Sequence, residues 1–174
     1  PAFAKKVLME LANNYKLEKV TIRPDVVDAM FRQVQNPTAK AFKKNLLPAR
    51  ILATNYDLGT QGVAYYDTDF QNIDGTKFTP YNKGFSLRND GVDIIPSSNK
   101  ESKGFQVGFI EAGEWLQYTV TSKKKATYSV SITYASATTE EQVHLFFEKN
   151  KKTESVLLPA TGNNDKYSTV TISN

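Results

Sequence analysis

Cysteine is absent from the 174 residues, which excludes disulfides and thiolate metal sites while leaving the compartment open. Histidine and tryptophan occur once each, at His144 and Trp115. His144 stands in QVHLFFEK with no serine, cysteine or acid at a recognisable spacing. Nucleophile elbow, phosphate loop and zinc motif are all missing, so a packed or surface role is expected for it. No run of 18 or more apolar residues occurs, so no helix long enough to cross a membrane is expected. Basic charge in excess is confined to the start of the chain. Residues 1–50 carry ten Lys and Arg against four Asp and Glu, and residues 51–174 carry twelve against fourteen. Nucleic-acid binding wants basic residues and stacking aromatics on one face, whereas most aromatics here lie in the near-neutral part. Neither nucleic acid nor a membrane is an expected partner.

What is present is a chain able to bury a core, at 40% hydrophobic and 23% charged. Its apolar residues follow two periods. Over residues 1–47 the spacing is helical. Phe3, Val7, Leu8, Leu11 and Tyr15 form one stripe, and Val26, Val27, Met30, Phe31 and Val34 form another, with Asp25 or Asp28 near a helix start. NPTAKAFKKNLLP reads as a third helix, with Asn36 as N-cap, Pro37 at the first position and Pro48 as a stop. Fewer than fifty residues make a marginal core, so this segment reads as the end of a preceding domain. The start at Pro1 without a signal peptide fits a piece of a longer protein.

From residue 48 to 174 the period is two. ILATN, GVAYY, FSLR, GVDII, GFQVGFI, EWLQYTVT, TYSVSITYAS, VHLFFEK, SVLLP and YSTVTIS are separated by turn clusters such as NIDG, NKG, RNDG and ATGNND. The expected fold is mainly β: an antiparallel β-sandwich, jelly-roll-like, preceded by a short helical segment. In EWLQYTV, alternation puts Leu116, Tyr118 and Val120 on one face, with Trp115, Gln117 and Thr119 on the other. The only tryptophan is therefore expected to face away from the core.

Three kinds of chemistry compete for these residues. Glu111 and Glu114 bracket a turn, and Asp67, Asp69, Asp90 and Asp93 line loops. A glycosidase needs two carboxyls about 5–10 Å apart across a cleft, but acids in turns are expected for backbone reasons alone. The aspartates of YYDTDFQNIDG lack the spacing of an EF-hand loop, and a structural turn is the better reading. Carbohydrate recognition fits more of the residues, since it needs exposed flat rings beside planar polar side chains. GVAYYDTDFQN offers Tyr65, Tyr66 and Phe70 with Asp67, Asp69, Gln71 and Asn72, and alternation turns one of the two tyrosines inward.

Residues 49–174 resemble family 6 carbohydrate-binding modules through ARILATNYDLGTQGVAYYDTD, FSLRNDGVDI, GFQVGFIEAGEWLQYTV, YSVSITYAS and LLPATG, which follow in the family's order. The resemblance implies two sugar sites. One is an edge site between two rings, whose positions here are Phe109 and Asn164. Asn164 cannot stack, which leaves Tyr66, Phe70 or Tyr167 as the second wall. The other is a sheet-face site using Trp115 with Gln117. A structural calcium, implied at a first-strand glutamate, loses that ligand here because Thr54 stands in its place, and no cofactor is assigned. The family's closing strands, with a sugar-contacting asparagine, find no counterpart before Asn174. The resemblance further implies a secreted or cell-surface setting. Residues 1–47 would then be the end of a glycoside hydrolase domain, and 48–174 a non-catalytic module that binds polysaccharide through Phe109, Trp115, Tyr66, Gln117 and Asn164. The alternatives are a fragment of the hydrolase itself and a sandwich kept for protein interaction.

Overall fold

In a computed structural model the described residues are 2–70, 83, 86–88, 90–137, 141–147, 151–152 (backbone only) and 155–172. Gln71, Asn72, the NIDG turn and parts of NKG, FSLR, RNDG and VHLFFEK lie outside them. Among the described residues two helices, α1 (Ala2–Asn14) and α2 (Pro24–Gln35), precede the strands. These are β1 (Asn45–Leu47), β2 (Tyr65–Tyr66), β3 (Ile94–Pro96), β4 (Phe105–Val107), β5 (Trp115–Leu116) and β6 (Val120–Ser122). Then follow β7 (Val130–Tyr134), β8 (Glu141–Val143), β9 (Phe146–Phe147), β10 (Lys151–Lys152), β11 (Val156–Leu158) and β12 (Ser168–Ile172).

The strands pair two by two. β2–β5, β3–β4, β7–β12, β8–β11 and β9–β10 are antiparallel, and β1–β6 is parallel. The chain is thus mostly strand with two helices at its start, built from small sheets, and the described pairings do not join into two stacked ones. Frequent turn residues keep each ladder at two to five positions. β7 alternates as expected: Val130, Ile132 and Tyr134 are half-buried, while Ser131 and Thr133 are exposed. Those outer hydroxyls meet Thr171 and Thr169 of β12 at 2.9 and 3.0 Å.

Two sequence expectations change. The third helix is absent: Asn36 closes α2 instead of capping a new one, Lys40 bridges to Leu58, and Asn45–Leu47 becomes β1. The Asn45 amide donates to Thr119 O at 3.0 Å, and the β1 backbone pairs with β6; a helix there would leave these bonds unmade. ILATN forms a 3-10 turn at Ala53–Asn55 instead of a strand.

α2 docks in an inverted sense. Its polar side faces the β-rich part, with Asp25 and Asp28 buried. Arg32 makes a bidentate pair with Asp28 (2.6 Å for each bond) and reaches Thr38 O at 2.6 Å, and Arg23 bonds Leu87 O. The Arg32 guanidinium holds the Asp28 carboxyl below its usual range, against the opposing effect of burial. The apolar stripes of both helices, from Phe3 to Val34, are exposed.

The core gathers Tyr56, Ala64, Tyr65, Val92 and Ile94, with Phe70, Phe105, Val107, Leu116 and Tyr118 packed around them. A buried cation stands beside it. Arg88 lies 3.6 Å over the Tyr56 ring and 4.6 Å from that of Phe42. It donates to the carbonyls of Tyr56 and Asp57 and pairs with Asp90, its Nε 2.9 Å from the carboxylate. The Tyr56 hydroxyl also donates to the Asp90 carboxylate, and the Tyr65 hydroxyl to the Asp90 backbone carbonyl. One guanidinium thus ties the segment 56–57 to the segment that leads into β3. Arg88→Met would keep most of the volume but leave the Asp90 carboxylate without its cation. The expected loss is about 3 kcal/mol, read as a lower urea midpoint at unchanged slope; an unchanged midpoint would count against this role.

Candidate functional site

β2 and β5 decide which rings reach solvent. Their register sets Tyr65 opposite Leu116 and Tyr66 opposite Trp115. Directly opposed residues share a face, so one face carries Tyr65 and Leu116 and the other carries Tyr66 and Trp115. Tyr65 is 2% exposed and packs edge-on against Tyr56 and Phe70. Tyr66 is 42% and Trp115 39% exposed. The two outward residues occupy opposed positions on this face and form an exposed, amphipathic aromatic patch. Alternation holds for Trp115 and Leu116 but not for Gln117, expected outward and half-buried; Tyr118 is half-buried as expected, its hydroxyl donating to Ala53 O at 2.8 Å. It lapses again at Val120, expected inside but exposed. Between them the buried Asp57 carboxylate accepts from Gln117 Nε2 (3.2 Å), Thr119 N (2.9 Å) and Thr119 Oγ1 (2.6 Å), breaking the ladder before β6 begins.

The two glutamates ahead of the tryptophan have a structural task. Glu114 Oε2 accepts from Glu111 N (3.0 Å), closing the turn, while Glu114 Oε1 accepts from Thr68 N (3.0 Å). The Thr68 hydroxyl lies 2.8 Å from Glu111 Oε2 and 2.9 Å from Glu114 Oε1. The loop after Tyr66 is thereby stapled to the turn before Trp115. Both carboxylates converge on one threonine, and neither stands across a cleft from the other as a hydrolytic pair would.

Phe109 follows β4 at φ +50°, a left-handed conformation that a bulky side chain rarely adopts. Gly108 just before it packs against the Ile95 side chain, whose Cδ1 a Cβ there would meet at 2.7 Å and have to displace. The Phe109 ring is 56% exposed, and Lys83 Nζ lies 5.4 Å from its centre. Lys83 also pairs with Asp69 and, at 3.5 Å, with Asp93. Asp67, Asp69 and Asp93 bring carboxylate oxygens within 4.8 Å of one another. Any divalent cation held there would have to share the pocket with the Lys83 ammonium.

The other sequence candidates lie elsewhere. Gln117 is half-buried and braced by Asp57. Asn164 is exposed in a turn whose hydrogen bonds run within itself and to Ser136, at the end of β7. Phe70 packs inward against Tyr65 and over Gly91, so it walls no open site. Tyr167 donates to Gln106 Oε1 at 2.6 Å beside β4. Thr54 is buried in the 3-10 turn. His144 is half-buried beside Phe146, a packed histidine with Nδ1 unbonded. Sequence reasoning missed Thr68 and Lys83. A hydroxyl that bonds carboxylates 43 and 46 positions away leaves no local signal.

Against known proteins, the finding is a carbohydrate-binding module. Residues 88–174, half of the chain, match the pattern of carbohydrate binding module (family 35), and the chain belongs to that family. The resemblance read from sequence named the right class but family 6, whereas the match is to family 35. No curated protein matches the chain in sequence.

Electrostatics around the rings are unequal. Burial first, then a hydrogen bond with Asp69 and the charges of Glu114, Asp93 and Asp69, pushes the Asp67 carboxyl up to about 7. Burial also acts to raise Asp69, but bonds from Lys83 and Asp67 outweigh it and hold Asp69 low. An unfolded aspartate titrates near ~4, so the folded state keeps a proton on Asp67 that the unfolded chain has lost. That contribution is complete below about pH 4 and disappears as pH rises through 7. Stability is expected to fall from about pH 4 to 7, and less steeply in Asp67→Asn. Urea midpoints across this range check it, and equal slopes for the two proteins would refute the assignment.

Proposed function

We propose that the protein is a non-catalytic polysaccharide-binding module that attaches a secreted glycoside hydrolase to plant or algal polysaccharide. Residues 1–47 would be the end of that hydrolase domain. The observation that carries the binding reading is the exposed Tyr66–Trp115 pair on one face of β2–β5, in a chain of a carbohydrate-binding family. Sugars present C–H faces ringed by hydroxyls, and two adjacent rings offer such a face a dry platform with polar groups at the rim. Phe109 adds a third exposed ring, held outward by its backbone. Gln117 follows Trp115 by two residues but is bound to Asp57, and Asn164 lies in a separate turn, so the rings rather than these polar side chains carry the proposal.

An open platform gains few contacts and still has to order its ligand, so each site binds weakly. Tethering compensates, because a module bound to the polymer keeps an attached enzyme at high local substrate concentration. The expected result of Trp115→Ala, and separately of Tyr66→Ala, is about a tenfold loss of affinity in gels containing the polysaccharide, equivalent to ~1.4 kcal/mol. Phe109→Ala should lower it by a smaller factor. Full retention by all three variants would dismiss the platform.

A further inference from the structure

The two helices carry most of the apolar surface that the described residues leave uncovered. Fourteen of the 23 exposed large hydrophobic residues lie between Phe3 and Val34. On α1 no residue is buried, although Phe3, Val7, Leu8, Leu11 and Tyr15 run along it as a stripe. A helix of 13 residues is marginal in water unless such a stripe is packed. On α2 the two sides are already divided. Asp25 and Asp28 are buried on the side toward the β-rich body, where Arg32 reaches Thr38 O and Leu58 O and Arg23 bonds Leu87 O. At 3.6 residues per turn, Val27, Met30, Phe31 and Val34 stand on the other side, with Phe31 66% and Val34 78% exposed.

We infer that α1 and α2 are the contact surface for the domain proposed to precede them, so that α2 is a wall shared by enzyme and module and fixes their relative orientation. This rests on the reading of residues 1–47 as the end of a hydrolase domain, and it turns the tether there into a rigid joint. The uncovered side of α2 continues an interface already made, since the same helix is bonded to the module through its other side. The area suffices. Phe3, Tyr15 and Phe31 alone expose on the order of 400 Å², and the whole set reaches the roughly 600–1,500 Å² usual between domains of one chain. Charge defines the partner's chemistry: Lys5, Lys6, Lys16 and Lys19 against Glu10 and Glu18 make the first stripe's surroundings basic. The complementary surface is an apolar groove with acidic residues at its edge. Carried on the same polypeptide, that groove meets the helices at an effective concentration that a second copy in dilute solution does not reach.

Hydrogen exchange in the longer polypeptide that carries the preceding domain, set against the 174-residue chain alone, tests the joint. In the 174-residue chain the α1 amides should exchange almost as fast as in a free peptide, and in the longer protein at least about 100-fold more slowly at every protein concentration. Phe31→Asp and Val34→Lys, both on the outward side of α2, should each remove that protection and split one thermal transition of the longer protein into two. Retained affinity for polysaccharide gels and retained turnover of a soluble substrate would show that both parts of these variants are folded. Equal α1 exchange in the two wild-type proteins would overturn the joint, and continued binding and cleavage of polysaccharide by the longer one would leave the module reading in place. Protection that appears in the 174-residue chain and grows with its concentration would also overturn it, assigning the face to a second copy. Protection in a longer protein that hydrolyses no polysaccharide would support the joint and remove the hydrolase reading instead.

Discussion

The register of β2 against β5 is the constraint on which the site depends. Two tyrosines stand in succession, and a slip of one residue would send Tyr66 into the core and Tyr65 to solvent, with Trp115 following its partner. The register is held from both ends. On one side the core takes Tyr65, locked by its hydroxyl on Asp90 and by the rings of Tyr56 and Phe70. On the other, the Thr68 staple joins the end of β2 to the start of β5 through Glu111 and Glu114. Two strand positions alone would be too few to fix a pairing. The polar contacts at their ends do that work.

Buried polar groups recur as the means of positioning. Asp57 gathers three donors from Gln117 and Thr119 and so ends the β5 ladder, and Arg88 clamps carbonyls and Asp90 beneath the same region. Charged or polar groups removed from water must be matched closely, or they cost more than they contribute. The matching here makes the core small and specific. The cost of burial also shows in titration: it dominates at Asp67 and raises that carboxyl, whereas bonds from Lys83 and Asp67 outweigh it at Asp69 and hold that one low.

Much of this was legible in the sequence where period is the signal. The outward position of Trp115 and the inward one of Leu116 follow from alternation, and β7 shows the period of two read from TYSVSITYAS. The choice between Tyr65 and Tyr66 was not legible, because identical side chains carry no preference and the decision lies with a strand some fifty residues later. Asn36 and Pro37 had good local chemistry for a helix start, yet Asn45 and Lys40 are worth more to distant strands, and tertiary pairing overrode propensity. The helical stripes were read correctly as apolar, but not that α2 would turn its charged side to the body of the protein. Long-range contacts such as Thr68 with the two glutamates, or Lys83 with Phe109, have no sequence signature at all.

A chain with one indole offers a direct reading of the central claim, that Trp115 stands in solvent where a sugar can cover it. Its intrinsic fluorescence, titrated with oligosaccharides and followed by acrylamide quenching, is the measurement. The account predicts emission typical of a wetted indole in the free protein, with a saturable blue shift and reduced quenching as ligand is added. Emission already blue-shifted and inaccessible to quencher, and unmoved by every glycan, would contradict it.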